Sequence, residues 1–447
     1  MANKSLRNDI IGVFGTRVLW TILGVLSGVI LARKLGPYDR GILALVLLVP
    51  NTVVTFVKLG ITQANVYFIN REGVSTEKVA SNSTVLAFTL GCGIAAIIWL
   101  IRDGLLLTVL RDMPAWALAL CLVRIPMRLL DDFLYGVLQA IGGFRIYNVR
   151  LLVSELLRFV AIAVCLLLLG QGLFAAVLIH TLVNLFNIVW LVITTRREIN
   201  FGFRLDRPLL AKQLEFGAKS WVQTLTGHML LRADVYMVSY FLGPAPTAFY
   251  ALALHLTEMV LEIPQAIGLV LYPRLASLPK QQVHRLTAQT CRRTLLLTAA
   301  CALAITLVGP TVITLWYGPD YAPAGAPLPW VAVGAVGMSI YVILTRDFTS
   351  QGRQAVNIGA GVPALVSNLA LNYFLVPSMG IIGAAMATAL SYVLACVILL
   401  TFYVPWSGIP LRHILIPKGE DFRYFWDVTR HVLDRLPILG RKASAHR

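Results

Sequence analysis

Residues 231–276, LRADVYMVSYFLGPAPTAFYALALHLTEMVLEIPQAIGLVLYPRLA, decide how the whole chain is read. They form two long apolar stretches, each long enough to cross a bilayer as a helix, joined by a tight turn at Leu242-Gly243-Pro244. Yet Arg232, Asp234, His255, Glu258 and Glu262 lie within them. On the second helix Ala251, His255, Glu258, Glu262 and Gln265 recur at helical spacing and share one face. An ionisable side chain at the centre of a bilayer costs about 2.5–3.5 kcal/mol on insertion scales. Such a face is therefore turned away from lipid, toward protein or a water-filled cavity.

The same conclusion extends to all 447 residues, which are 58% hydrophobic and only 13% charged, with a mean hydropathy of +0.76. A soluble domain carries about 25% charged residues, so this is a polytopic membrane protein of all-α class. The first apolar segment, about 10–32, is too long for a signal-peptide core and lacks a small-residue cleavage site, so it is expected to remain as a span. The six cysteines are scattered and mostly inside apolar runs, with no Cys-x-x-Cys pair and no His/Cys cluster at metal spacing. They read as structural thiols, and no metal is expected. Neither a G-x-x-x-x-G-K-[ST] phosphate loop nor a G-x-S-x-G nucleophile elbow occurs. Asp131-Asp132 lacks the partner D-x-x-D of a magnesium-dependent prenyl-transfer site. The chain is expected not to be an enzyme and to need no cofactor beyond a coupling H⁺ or Na⁺.

About twelve spans are expected, near 10–32, 41–61, 82–101, 114–138, 148–169, 173–194, 217–242, 248–272, 293–316, 327–345, 355–375 and 380–403. With the N-terminus inside, 27 of the 38 basic residues fall in cytoplasmic segments and 5 in external ones, so both termini are expected in the cytoplasm. The net charge of +17 is thereby read as topology and contact with anionic headgroups, not as nucleic-acid binding. An internal repeat supports two six-helix lobes. Leu35-Gly36-Pro37 recurs as Leu242-Gly243-Pro244, Gly172-Leu173-Phe174-Ala175-Ala176 maps onto 380–384, and Asn148 maps onto Asn357, at offsets of 207, 208 and 209. The halves should be residues 1–195 and 217–403 around a central cavity, joined by a basic cytoplasmic linker, 196–216. A second basic loop is expected at 274–293. In the tail, 404–447, Phe422, Phe425, Trp426, Thr429, Val432, Leu433 and Leu436 share an apolar face opposite Arg423, Asp427, Arg430, Asp434 and Arg435. That pattern suits a helix lying on the cytoplasmic membrane surface.

Six basic residues, Arg17, Lys58, Arg124, Arg128, Arg158 and Arg232, fall more than two residues inside the ends of expected spans, while Arg150, Lys219 and Arg293 sit at span ends and are counted as cytoplasmic. Helix four carries Arg124, Arg128, Asp131, Asp132, Tyr135 and Gln139 on one face. A diphosphate in a low-dielectric cavity needs several cations, and arginine binds it bidentately. Arg17, Lys58, Arg124 and Arg128, with Arg232, form the candidate anion site, supported by Asp131 and Asp132. The same spacing fits a plain Arg128–Asp132 intrahelical pair, and Arg158 reads as the local partner of Glu155. In the second half acids outnumber cations: Asp234, Glu258 and Glu262, with His255, are candidates for H⁺ or Na⁺ coupling. His180 stands alone on an apolar helix and reads as a core residue.

Several short motifs carry a resemblance: Arg232 and Asp234 near a helix end, Leu242-Gly243-Pro244, Tyr250-Ala251-Leu252-Ala253, Pro264-Gln265-Ala266 and Tyr272-Pro273-Arg274-Leu275. LGPYDRG (35–41), QANVYF (63–68) and LQAIGGFRIYN (138–148) add to it. To about residue 403 the chain resembles the polysaccharide flippases of the multidrug/oligosaccharidyl-lipid/polysaccharide exporter superfamily. Ala140 and Gly143 depart from the glycine and arginine usual in the third of these motifs. The resemblance implies transfer of undecaprenyl-diphosphate-linked oligosaccharide between the leaflets of a bacterial inner membrane by alternating access. Cation antiport, and polysaccharide polymerase or export proteins as partners, are further implications. A multidrug/cation antiporter shares the fold but would be lined by acids and aromatics; a glycan polymerase would need large external loops, and those here are short.

Overall fold

Hydropathy marks only the part of a helix that lies in hydrocarbon, and the structure, a computed structural model, shows how much helix lies outside it. Backbone is described for residues 2–435, and side chains for the same residues except 2–18, 144–145, 219–220, 273, 276–277, 280–281, 428–429 and 431–435. In chain order the helices are α1 (Ala2–Val57), α2 (Ile61–Asn70), α3 (Thr76–Leu100), α4 (Arg102–Leu106), α5 (Ala115–Ala140), α6 (Phe144–Ile162, continued by one π-helical segment to Leu168), α7 (Leu173–Glu198) and α8 (Arg207–Leu242). These are followed by α9 (Pro244–Ser277), α10 (Lys280–Tyr317), α11 (Leu328–Ser350), α12 (Gln354–Ser407), α13 (Leu411–Leu415) and α14 (Gly419–Arg435). No strand occurs among the described residues.

Eight helices are long and apolar enough to cross a membrane. Two of these, α1 and α12, are double, each bent at a glycine with non-helical dihedrals, Gly36 and Gly380. Two further helices, α5 and α8, are 26 and 36 residues long but carry the buried charges that depress their hydropathy. Counting these and dividing the bent pair gives twelve crossing segments among the described residues, as expected from the sequence. The expected basic loops shrink. α7 runs to Glu198 and α8 starts at Arg207, leaving residues 199–206 outside helices, and most of 274–293 belongs to α9 and α10. These extensions are too polar for a hydropathy window but satisfy their own backbone. Lys58 lies not inside a span but at the break between α1 and α2, where Leu59 and Gly60 both have positive φ.

The repeat is visible in backbone conformation. Gly36 (φ 69°, ψ 174°) and Gly243 (φ 83°, ψ −169°) share a region open essentially to glycine alone. Gly142 and Gly352 end α5 and α11 alike, the next amide in each donating to the carbonyl five residues back: Gly143 to Leu138 and Arg353 to Phe348, both at 2.8 Å. The structural offset there is 210, one more than the asparagine match suggests.

The chain divides into two compact units. The first comprises 1–254, 308–328 and 365–387, and the second 255–307, 329–364 and 388–447. This division cuts across the sequence boundary at 196–216. Within the first unit the two Leu-Gly-Pro turns meet: a Cβ on Gly41 would lie 1.8 Å from the Pro244 carbonyl oxygen. Arg33 adds a fork, donating from Nε to Trp316 O (2.7 Å) and from Nη2 to Leu315 O (2.6 Å) at the end of α10. Gly41→Val therefore forces backbone apart and is expected to destabilise the first unit by about 1–3 kcal/mol, measured as a lower thermal midpoint in detergent. An unchanged midpoint would show that this contact does not hold the unit together.

Residues 199–206 are strapped to the first unit by amides. Asn82 exchanges hydrogen bonds with the Asp206 backbone (2.7 and 3.0 Å) and donates to Gln213, which donates to Asn65 Oδ1 at 2.8 Å. Asp206 caps α8 through the Leu209 amide.

Candidate anion site and coupling residues

α5 is amphipathic for a reason other than water. One side packs Ile125, Leu129 and Phe133 into the first unit's core, and the next side carries Arg124, Arg128, Asp131 and Asp132. Arg124 is buried, donates from Nη1 to the Val46 carbonyl at 3.2 Å and leaves Nε without an acceptor. No carboxylate lies within ion-pair distance of it among the described residues. Arg128 is half-exposed at its tip, with Nη1 3.8 Å from Asp131. The alternative Arg128–Asp132 pair gives way to an i,i+3 pair, because Asp132 turns instead to Lys58 Nζ at 3.3 Å and to the Thr62 hydroxyl at 3.4 Å.

Arg150 corrects the sequence reading most. It counted among cytoplasmic loop cations, yet it is fully buried, with Nη1 2.7 Å from Asp131 Oδ1 and 3.2 Å from the Asn187 carbonyl, beside the Tyr147 ring. Its Nε and Nη2 have no acceptor. Only the position of α6 against α5 and α7 reveals this, and no spacing along the chain encodes it. Arg158 pairs with buried Glu155 as expected, and its Nε also lacks an acceptor. Arg128 and Arg158 are within Coulomb reach of Arg124. His180 is a satisfied core residue, its Nδ1 2.9 Å from the Ala176 carbonyl.

α8 adds to this side of the first unit. Trp221 donates to Thr55 O, and His228 Nε2 lies 3.0 Å from the Thr52 hydroxyl. Arg232 and Lys58 are within Coulomb reach of His228. Arg17 falls outside the described side chains. The candidate anion residues therefore separate into a Lys58–Asp132 pair near His228 and Arg232, and the α5–α6 arginines. Both groups belong to the first unit.

The coupling candidates are divided. Asp234 is fully buried in the first unit, its Oδ2 accepting the Tyr250 hydroxyl at 2.6 Å and its Oδ1 the Val235 amide at 2.8 Å. His255, Glu258 and Glu262 belong to the part of α9 in the second unit, with His255 and Glu262 exposed and Glu258 half-buried. The sequence reading passed over Asn368 and Asn372 of α12, both fully buried and hydrogen-bonded to each other at 3.1 Å. A polar pair four apart in an apolar helix was the available signal. No group of His, Cys, Asp and Glu suited to a metal ion occurs among the described residues.

The fold these helices build is that of known membrane transporters. The chain superposes on the lipid II flippase MurJ in an inward closed conformation (TM-score 0.76, 14% identity, 90% of this chain and 89% of that one). It superposes also on a multidrug resistance MATE transporter of the MOP superfamily, inward-facing (TM-score 0.70, 16% identity, 87% and 94%). The profile of the family described as polysaccharide biosynthesis protein matches residues 7–278, and the chain belongs to that family. A relative in Shigella flexneri, named as an O-antigen transporter, is 23% identical over 418 residues, covering 89% of this chain and 97% of the relative. A Haloferax volcanii relative, named as a low-salt glycan biosynthesis flippase, is 25% identical over 234 residues. That match spans 51% of this chain and about half (48%) of the relative's length.

Proposed function

We propose that this chain is a flippase that moves polyprenyl-diphosphate-linked oligosaccharide from the cytoplasmic to the outer leaflet of a bacterial inner membrane, with both termini cytoplasmic, for surface polysaccharide synthesis. One observation supports this best. Arg124, Arg128, Arg150 and Arg158 all hold buried guanidinium donors with no acceptor, and Asp131 and Glu155 are the carboxylates that pair with them. A surplus of buried, incompletely bonded cations is costly unless an anion joins them, and a diphosphate brings charge and many acceptor oxygens. Arg17 and Lys58 join this site on sequence grounds. In this mechanism the cations capture the diphosphate, the glycan follows through a hydrated cavity, and the tail stays on the bilayer-facing side of the helices. H⁺ or Na⁺ at Asp234, His255, Glu258 and Glu262 biases alternating access, provided it binds the two states with different affinity.

The test is leaflet transfer of a fluorescent lipid-linked oligosaccharide in reconstituted vesicles. Transfer is expected above that of empty vesicles and to rise with an imposed cation gradient. In Glu258→Gln the gradient-driven rise is expected to shrink about 5-fold or more. Transfer no faster than in empty vesicles sinks the flippase reading, and an unaltered gradient response removes Glu258 from coupling. A cation antiporter of this fold would instead export a cationic dye, and would do so without Arg124 and Arg128.

A further inference from the structure

The first unit also contains a cavity of about 740 Å³ with no part in the charge chemistry above. It lies between α3, α5 and α7, and every residue lining it is apolar. Buried Leu122, Leu130 and Ile188 form the floor, half-buried Ala95 and Ala119 stand in the walls, and Phe88, Trp99 and Val189 stand at the rim and are more than one-third exposed. Gly91 lets Pro126 close one wall, since a Cβ there would lie 2.5 Å from the proline Cα. Ala119 and Leu130 mark its extent along α5, about 16 Å at 1.5 Å per residue, or roughly half the ~30 Å hydrocarbon core. A sugar or a phosphate finds no hydrogen-bond partner in such a lining.

We propose that this groove holds the polyprenyl tail of the carrier lipid; the inference rests on the diphosphate reading above. α5 supplies the connection. Val123, Met127 and Leu130 line the groove, and their neighbours Arg124, Arg128 and Asp131 carry the charges at matching depth on the adjacent face. One helix thus presents a hydrocarbon seat and an anion seat within a turn of each other. The occupant is set by polarity and by the neighbouring anion seat: a hydrocarbon chain that carries a diphosphate can lie in the groove while its head reaches the arginines of the same helix. A groove of this kind left half-filled would lose the packing that hydrocarbon gives elsewhere on the surface.

The test measures binding of undecaprenyl diphosphate and of farnesyl diphosphate to purified full-length protein in nanodiscs. The wild type is expected to bind the long chain at least about tenfold more tightly, since each buried methylene adds to affinity. Ala119→Trp in the wall and Val189→Trp on the rim are expected to remove that preference and leave farnesyl diphosphate binding unchanged. Leu156→Trp, at an exposed position on α6 away from the groove, is expected to keep the preference. If both groove variants retain the long-chain preference, or the wild type has none, the groove is not the tail site. If excess phosphatidylglycerol abolishes the preference, the groove holds ordinary acyl chains and the proposal falls. If neither diphosphate binds the wild type, the diphosphate reading fails and the inference with it.

Discussion

Arg124→Met is expected to abolish glycan export while leaving the protein as stable as before, or more so. Arg124 is buried on α5 with one neutral partner, the Val46 carbonyl, and a free Nε donor. Removing an incompletely satisfied buried cation relieves desolvation cost, and methionine roughly retains the packing of the stem. Two charge-assisted hydrogen bonds to a phosphate, at about 1.5–3 kcal/mol each, correspond to a loss of at least ~10²-fold in export. Arg150→Met is the contrasting variant. Its guanidinium neutralises Asp131, so the loss strands a carboxylate and should cost about 3–5 kcal/mol of stability. Surface glycan by immunoblot, read beside the thermal midpoint in detergent, separates the two. Normal export in Arg124→Met would remove the anion site. A fall in stability equal to that of Arg150→Met would make Arg124 a structural residue.

The contrast between these arginines shows what a sequence does and does not reveal here. Arg124 was legible because a cation flanked by apolar residues at mid-span violates the patterning of a lipid-facing helix. Arg150 was not, because it sits where hydropathy turns and its partner lies on another helix. The twelve spans were legible from residue type alone, and the Gly36 and Gly243 turns from a repeated tripeptide with a conformational reason behind it. The lengths of α8 and α10 were not, since their first turns are polar and resemble loops by composition. The groove on α3, α5 and α7 is invisible in sequence because ordinary apolar residues from three helices make it. His255, Glu258 and Glu262 were legible as one helical face, and the structure assigns that face to a different unit from Asp234.

Asp421→Asn is expected to release the C-terminal helix. Sequence periodicity gives α14 an apolar side, of which Phe422 and Trp426 are 59% and 72% exposed and Phe425 is half-buried; Thr429, Val432, Leu433 and Leu436 lie outside the described side chains. What holds the helix was not foreseen. Asp421 is fully buried and accepts from Arg292 Nε at 2.8 Å, Arg293 Nε at 3.2 Å and the Lys418 amide at 3.0 Å. Arg292 also donates to the His413 carbonyl at 2.6 Å, and Arg293 lies 3.9 Å from the Tyr424 ring centre. Burial pushes the Asp421 carboxyl up, but the Arg292 and Lys418 hydrogen bonds outweigh it and hold the group below its ordinary value. A depressed carboxyl contributes its stability above the unfolded pKa of about 3.9 and loses it as pH falls through the lower folded value. Docking should therefore not change between about pH 5 and 8 on account of this group. Breaking one side of a buried pair costs about 3–5 kcal/mol, so amide exchange across 411–435 should accelerate by roughly 10²–10³-fold where local opening controls it. Adding Arg292→Met to Asp421→Leu should recover part of that protection, because it removes the stranded charge along with the contact. Unchanged exchange in Asp421→Asn would mean that the helix is held by its apolar side, and the ion pairs only decorate the junction.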